Sequence, residues 1–238
     1  MATGPNPRFM TRADAAVSGI DVGLRQYMLR VYNYMTGGLA LTGIIAYVVG
    51  TDPTFFQAIY GTPAAWVVMF APFAIVLAYS FGIQRMSAGL AQVLFWAFAA
   101  LMGLSLSYIF VAYAHASIAR VFFITAGTFA GMSLYGYTTK RDLTGFGSFL
   151  FMGLLGLVIA MLVNMFLHSA ALDFALSVIG VLIFTGLTAY DTQRIKSMYS
   201  ALDEAGIGTK KAVMGALQLY LDFINLFLML LRLFGNRN

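Results

Sequence analysis

Seven long apolar stretches divide the chain, and each is close to the length that crosses a bilayer. A transmembrane helix needs roughly 20 mostly apolar residues, because the hydrocarbon core is about 30 Å thick. Hydrophobic residues make up 61% of the chain and charged residues only 10%, too few to cover the surface of a soluble domain. The sequence therefore predicts an all-α membrane protein with seven transmembrane helices, at residues 31–49, 64–83, 89–112, 120–138, 147–168, 174–192 and 212–232.

The basic residues between the spans predict the orientation. With the N-terminus inside, 11 of the 14 Lys and Arg residues lie in inner segments, and Arg120, Arg232 and Arg237 lie outside. Cytoplasmic loops carry an excess of Lys and Arg, so we expect a cytoplasmic N-terminus and an outer C-terminus. We attribute the net charge of +5 to these loops and not to nucleic-acid binding. Arg232 and Arg237 favour the opposite side, and six spans followed by a re-entrant or interfacial segment are an alternative.

Residues 1–30 are expected to form a cytoplasmic tail that precedes a membrane domain of residues 31–238. Within the tail, four apolar residues recur at near-helical spacing and two charged residues stand four positions apart: Val17, Ile20, Leu24 and Met28, and Asp21 with Arg25. An amphipathic helix on the inner leaflet fits this pattern, and a solvated tail before the first span fits it equally. The tail has no long apolar core, so no cleavable signal peptide is predicted.

An aspartate lies near the middle of the last span, within LQLYLDFINLFLML (217–230). Asp222 stands about 16 Å beyond Lys211 along a helix, close to the middle of the hydrocarbon. Gln218 and Asn225 share its helix face. Because lipid would satisfy none of these groups, we expect the polar face to point into the bundle or a water-filled cavity. A functional aspartate is favoured over a protonated Asp222 that only holds a neighbouring helix.

Two further charged residues, Asp191 and Arg85, lie close to the hydrocarbon. Asp191 is near the inner end of the sixth span, where a local ion pair with Arg194 explains it equally well. Counting along the helices places Asp191 roughly 10 Å inward of Asp222. Contact between the aspartates therefore requires tilted or shifted helices, or a longer sixth helix. Arg85 ends the second span in a short inner turn, where spacing alone indicates an ordinary orientation signal.

The fourth span carries two glycines at a spacing that permits close helix approach. Gly127 and Gly131 form a GxxxG pattern, which is frequent at helix interfaces in membranes. We interpret the pattern as a packing contact and not as a functional site.

Three stretches of the sequence are distinctive when taken together. They are MSLYGYTTKRDLTGFGSFLFMGLLG (132–156), GLTAYDTQRIK (186–196) and ALQLYLDFINLFLMLLRLFGNR (216–237). They closely resemble the Bax inhibitor family, also called the transmembrane Bax inhibitor motif family, in its bacterial branch. The resemblance runs from the first span to the C-terminus. It implies a seven-helix fold with the last helix in the centre of a bundle formed by the other six.

The resemblance also implies a function. In the family an aspartate pair senses pH and controls a calcium leak, and Asp191 of AYDTQ and Asp222 of YLDFIN match that pair. They would also be the candidate calcium ligands. A basic residue after the second helix can bridge to the sixth-helix aspartate as a latch, and Arg85 is the candidate here. Two carboxylates in one low-dielectric site cannot both ionise cheaply, so they would share a proton. Its loss would favour helix separation and attract a hard cation such as Ca²⁺.

Functions other than a calcium leak are also known for membrane proteins with seven helices or a pair of aspartates. An aspartyl intramembrane protease needs a GxGD motif at its second aspartate, and Asp222 is preceded by LYL, so no enzyme is predicted. The last span lacks the lysine of a light-driven pump, and no inverted repeat indicates a secondary transporter. The remaining alternative is a regulatory protein that binds a membrane-anchored AAA protease through residues 1–30, without conduction. We expect a bacterial inner-membrane location, lipid and cation as partners, and no cofactor.

Overall fold

The computed structural model describes residues 12–238, with side chains from Val22 onward except that of Ala205. Within these residues the chain is helical, with short connections and no strand beyond a single isolated bridge between Tyr113 and Arg237. The helices are α1 (Arg12–Thr51), α2 (Pro53–Tyr60), α3 (Ala64–Gly82), α4 (Ala88–Leu106), α5 (Tyr108–Ala112), α6 (His115–Thr138), α7 (Thr144–Leu167), α8 (Ala170–Ser197) and α9 (Ala205–Phe234).

The seven predicted spans are confirmed, and the differences lie at their ends. Among the described residues, seven helical segments are long and apolar enough to cross a membrane, and α4 with α5 counts as one of them. The helix that contains the first span already begins before residue 31, and the sixth continues to Ser197, beyond its predicted end. The last span is part of α9, a single helix of 30 residues, so the alternative of a re-entrant last segment is wrong.

The predicted tail is only partly covered by the structure. Residues 1–11 lie outside the described residues, and so do the side chains of Val17, Ile20 and Asp21. The choice between an amphipathic surface helix and a solvated tail therefore stays open. From Arg12 onward the backbone is helical and continues without interruption into the first span.

Polar side chains at the junctions explain where several helices begin. Asp52 accepts hydrogen bonds from the first backbone N–H groups of α2. Ser87 accepts from the N–H of Leu90 in α4, and Ser169 accepts from that of Leu172 in α8. These caps satisfy donors that a helix start leaves unpaired, so the connections between spans can be short.

The last helix, α9, is the most buried of the seven spans. In its apolar segment 72% of the residues are buried, against at most 39% in any other span. It packs most extensively against α8, α1, α6 and α4. Asp222, in the middle of this segment, is therefore held inside the protein. A bundle of all six other spans around α9 stays a prediction.

A close approach of α6 to α8 depends on a glycine that the sequence pattern did not single out. A Cβ atom on Gly136 would lie 2.1 Å from the carbonyl oxygen of Ala189 in α8. Gly127 and Gly131 are exposed, and a Cβ on either would meet nothing within 4 Å in the described chain. The interpretation of the GxxxG pattern as a packing contact within the chain is therefore wrong, because that face of α6 points away from its neighbours.

Candidate functional site

Asp191 and Asp222 lie side by side between α8 and α9. Both are buried, with 5% and 6% of their surface exposed, and their carboxyl groups are within hydrogen-bonding range of each other. Gln218, one turn before Asp222, donates from Nε2 to Oδ1 of Asp191 at 2.7 Å. The structure therefore brings together two residues that depth counting had kept apart.

The register of α8 against α9 explains this contact. The hydrogen bond from Gln218 of α9 to Asp191 of α8 places these two residues at about the same level. Gln218 stands four residues before Asp222. At 1.5 Å per residue the offset is only about 6 Å, roughly one helical turn, which two side chains can bridge. The predicted 10 Å offset was too large because the positions of helix ends do not determine the register of two packed helices.

The protein does not supply hydrogen-bond partners for all the carboxyl oxygens of the aspartate pair. Oδ2 of Asp222 is buried and has no hydrogen-bond partner among the described residues. Two ionised carboxylates offer only acceptors, so a hydrogen bond between Asp191 and Asp222 requires that one of them carry a proton. The geometry of the site therefore fits a pair of carboxyl groups that holds a single proton.

A cavity of about 680 Å³ lies beside the aspartates. Gln218, Asp222 and Asn225, which share one face of α9, all line it. Tyr190, Asp191 and Arg194 of α8 contribute further polar groups, and α7 contributes mostly apolar residues together with Ser148. The cavity gives the pair a space in which water or an ion can be held.

The two arginines named by the sequence are not paired with Asp191. Arg194 lines the cavity but is exposed, and the ion pairs of the described residues do not include it, so the local Asp191–Arg194 ion pair is not formed. Arg85 lies exposed in the turn between α3 and α4, away from the cavity lining. That turn contacts α9 through Lys210, whose Nζ donates to the carbonyl oxygen of Gln84 at 3.4 Å. The latch role of Arg85 stays a prediction.

The pair offers few ligands for a resident metal ion. No cluster of three or more His, Asp or Glu side chains suited to a metal occurs in the part of the chain that the structure describes. Ca²⁺ takes six to eight oxygen ligands. Asp191 and Asp222, even with the amide oxygens of Gln218 and Asn225, would leave several positions to water. The residues present therefore fit a hydrated, transient cation better than a resident one.

A chain of hydroxyl groups joins α1 through α6 to Thr192 of α8, the residue after Asp191, and was not identified from the sequence. Oγ1 of Thr192, next to Asp191, donates to the carbonyl oxygen of Thr188 at 2.7 Å. It therefore accepts from Ser133 of α6 at 3.0 Å, and Ser133 accepts from Tyr32 of α1 at 2.6 Å. Single hydroxyls are common in apolar helices, so the sequence contains no signal that would pick these out.

The fold and the site define a class: a seven-helix integral membrane protein with a buried carboxylate pair between its last two helices. The family described as inhibitor of apoptosis-promoting Bax1 matches residues 24–238, and the chain belongs to this family. The chain is 50% identical to inner membrane protein YbhL of Escherichia coli K12 over 229 residues, which cover 95% of this chain and 97% of YbhL. It is 52% identical to an uncharacterised protein of Rickettsia prowazekii over 217 residues, which cover 91% and 92% of the two chains.

Proposed function

We propose that this protein is a pH-sensitive cation leak, with calcium as the principal ion, and that the Asp191–Asp222 pair controls it. The observation that carries the proposal is the pair itself: two buried carboxyl groups within hydrogen-bonding range, on adjacent helices, beside a cavity of about 680 Å³. Ionisable residues inside a membrane protein mark ion or proton pathways more often than structural sites. The name of the relative YbhL supports a location in the bacterial inner membrane.

The shared proton is the element that would hold the site closed. While Asp191 and Asp222 share it, a hydrogen bond joins α8 to α9. When it leaves, two negative charges face each other in a medium of low dielectric constant, where repulsion is strong. Gln218 supplies one hydrogen bond to Asp191, and Oδ2 of Asp222 receives none from the protein. Water and a cation entering the cavity would supply the missing stabilisation, so flux is expected to rise as the pair loses its proton.

Calcium flux into proteoliposomes between pH 5 and 8 tests this proposal. Asp222→Asn keeps the shape of the side chain and removes the charge, so the flux of this variant should lose its dependence on pH. Asp173→Asn is the matched control, because Asp173 is an aspartate of the adjacent helix α8 that lies outside the aspartate cavity and pairs at the surface with Arg232, at 3.6 Å. It should behave like the wild type.

Three outcomes would contradict the proposal at different points. Folded protein in tight liposomes that gives no flux above empty liposomes at any pH would refute the leak. A leak with the same pH dependence in Asp222→Asn would show that the aspartate pair does not control conduction. A flux that falls as pH rises would mean that the shared proton opens the site instead of closing it. Binding to an AAA protease, the alternative function, would depend on residues 1–30 and survive Asp222→Asn.

A further inference from the structure

A small basic pocket lies where the loop between α6 and α7 meets the end of α8. Its volume is about 350 Å³. The loop contributes Lys140, Arg141 and Asp142 to its lining, and α8 contributes Gln193, Arg194 and Ser197. Three cations and one carboxylate give the pocket a formal charge of +2. We propose that this basic pocket binds a phosphate group.

The backbone of the loop is held in place before any ligand arrives. Nε2 of Gln193 donates to the carbonyl oxygen of Arg141 at 2.7 Å, and Oε1 of Gln193 accepts from the N–H of Leu143 at 2.9 Å. Oδ1 of Asp142 accepts from the N–H of Thr144 at 2.9 Å and from its hydroxyl at 2.6 Å. The loop is therefore preorganised, which lowers the entropy lost on binding. The negative charge of Asp142 is partly engaged by these bonds.

The cations of the basic pocket are available for a ligand. The ion pairs of the described residues join other side chains, so Lys140, Arg141 and Arg194 face no carboxylate within 4 Å there. Guanidinium groups bind phosphate oxygens through two parallel hydrogen bonds, and an ammonium group binds them as a point charge. α7 begins at Thr144, so the positive end of its dipole adds to the field. The positive-inside rule explains why basic residues lie on one side, but not why three line one pocket.

The phosphate group has two possible sources, a lipid headgroup and a soluble phosphate. The basic pocket shares Tyr190 and Arg194 with the aspartate cavity, whose lining continues to Phe151 and Met152 of α7. Phe151 and Met152 are exposed on a membrane span, so an acyl chain can lie along them. A phosphate from the aqueous side offers the same oxygens to the same cations.

The test compares two variants. Lys140→Gln combined with Arg141→Gln removes two of the three cations, and both side chains are exposed, so the fold should tolerate the change. Arg194 is left in place because it also lines the aspartate cavity, and its loss would alter both sites. Lys210→Gln is the control, since Lys210 is a basic residue at the same predicted side of the membrane but outside the basic pocket.

Binding is measured without calcium, so the result does not depend on the proposed leak. Each protein is placed in nanodiscs of phosphatidylcholine and titrated with inorganic phosphate, with chloride at matched ionic strength. A second series replaces part of the lipid with phosphatidylglycerol and counts retained lipid by native mass spectrometry. In one or both series we expect the double variant to bind at least about tenfold more weakly, because it loses charge-assisted hydrogen bonds. Lys210→Gln should stay within about twofold of the wild type.

The two series distinguish the sources and can overturn the proposal. Selective retention of phosphatidylglycerol that the double variant loses identifies a lipid headgroup. Binding of inorganic phosphate in pure phosphatidylcholine, again lost in the double variant, identifies a soluble phosphate. Absence of binding in both series, or an equal loss in Lys210→Gln, shows that the basic pocket is not a phosphate site.

Discussion

Replacing Gly136 by alanine is expected to push α6 away from α8. The new Cβ atom would lie 2.1 Å from the carbonyl oxygen of Ala189, 2.8 Å from its carbonyl carbon and 2.9 Å from its Cα. These are backbone atoms of a helix, so they cannot rotate out of the way as a side chain can. The shortest contact must lengthen by about 1.3 Å to reach the 3.4 Å at which ordinary contacts begin.

That displacement is large enough to break a buried hydrogen bond between α6 and α8. Ser133 lies one turn before Gly136 on α6, and its hydroxyl donates to Thr192 of α8 at 3.0 Å. A movement of this size would take the two oxygens out of bonding range. Overpacking costs about 1–3 kcal/mol and a lost buried hydrogen bond about 0.5–1.5 kcal/mol, so we expect a destabilisation of about 2–4 kcal/mol. For a chain of this length the melting temperature should fall by about 5–15 °C.

Thermal unfolding in detergent at a fixed scan rate measures the effect. Gly131→Ala is the matched control on the same helix, because a Cβ atom there meets nothing within 4 Å. It should be neutral or slightly stabilising, by up to about 1 kcal/mol, since alanine favours a helix more than glycine does. If Gly136→Ala melts within about 2 °C of Gly131→Ala, the reasoning from the close approach of α6 and α8 is refuted.

Two further substitutions test other contacts. The hydroxyl of Tyr220 donates to Thr42 at 2.7 Å while Thr42 donates to the carbonyl oxygen of Ala99, so Tyr220→Phe should cost about 0.5–1.5 kcal/mol in thermal unfolding. An unchanged melting temperature would contradict this. Hydrogen bonds from Thr144 hold the pKa of Asp142 below its ordinary value of 3.8, so its carboxylate stabilises the fold above that pH and the effect is lost as pH falls through the lowered pKa. The difference in melting temperature between wild type and Asp142→Asn should therefore be constant above about pH 5 and shrink as pH falls through the lowered pKa, and a difference that does not change with pH would show that it has another cause.

The number of spans and the buried aspartate of the last helix could be predicted from the sequence. Each span depends on the transfer of about 20 consecutive residues into hydrocarbon, and that free energy is a local property of the chain. The burial of Asp222 follows in the same way, because a carboxyl group near the middle of the bilayer is tolerated only inside protein or beside water. The motifs around Asp191 and Asp222 also predicted the family correctly.

Contacts between distant residues were decided only by the tertiary structure. Whether Asp191 meets Asp222 depends on the register of α8 against α9, and counting residues from the helix ends does not determine that register. The rotation of α6 selects Gly136 and not Gly131 as the residue that faces α8. Such choices depend on how whole helix surfaces pack together, and residues dozens of positions apart contribute to each of them. The free energy of moving a segment into the membrane can be predicted from neighbouring residues alone. The partner that each side chain contacts inside the protein cannot, because it belongs to a distant part of the chain.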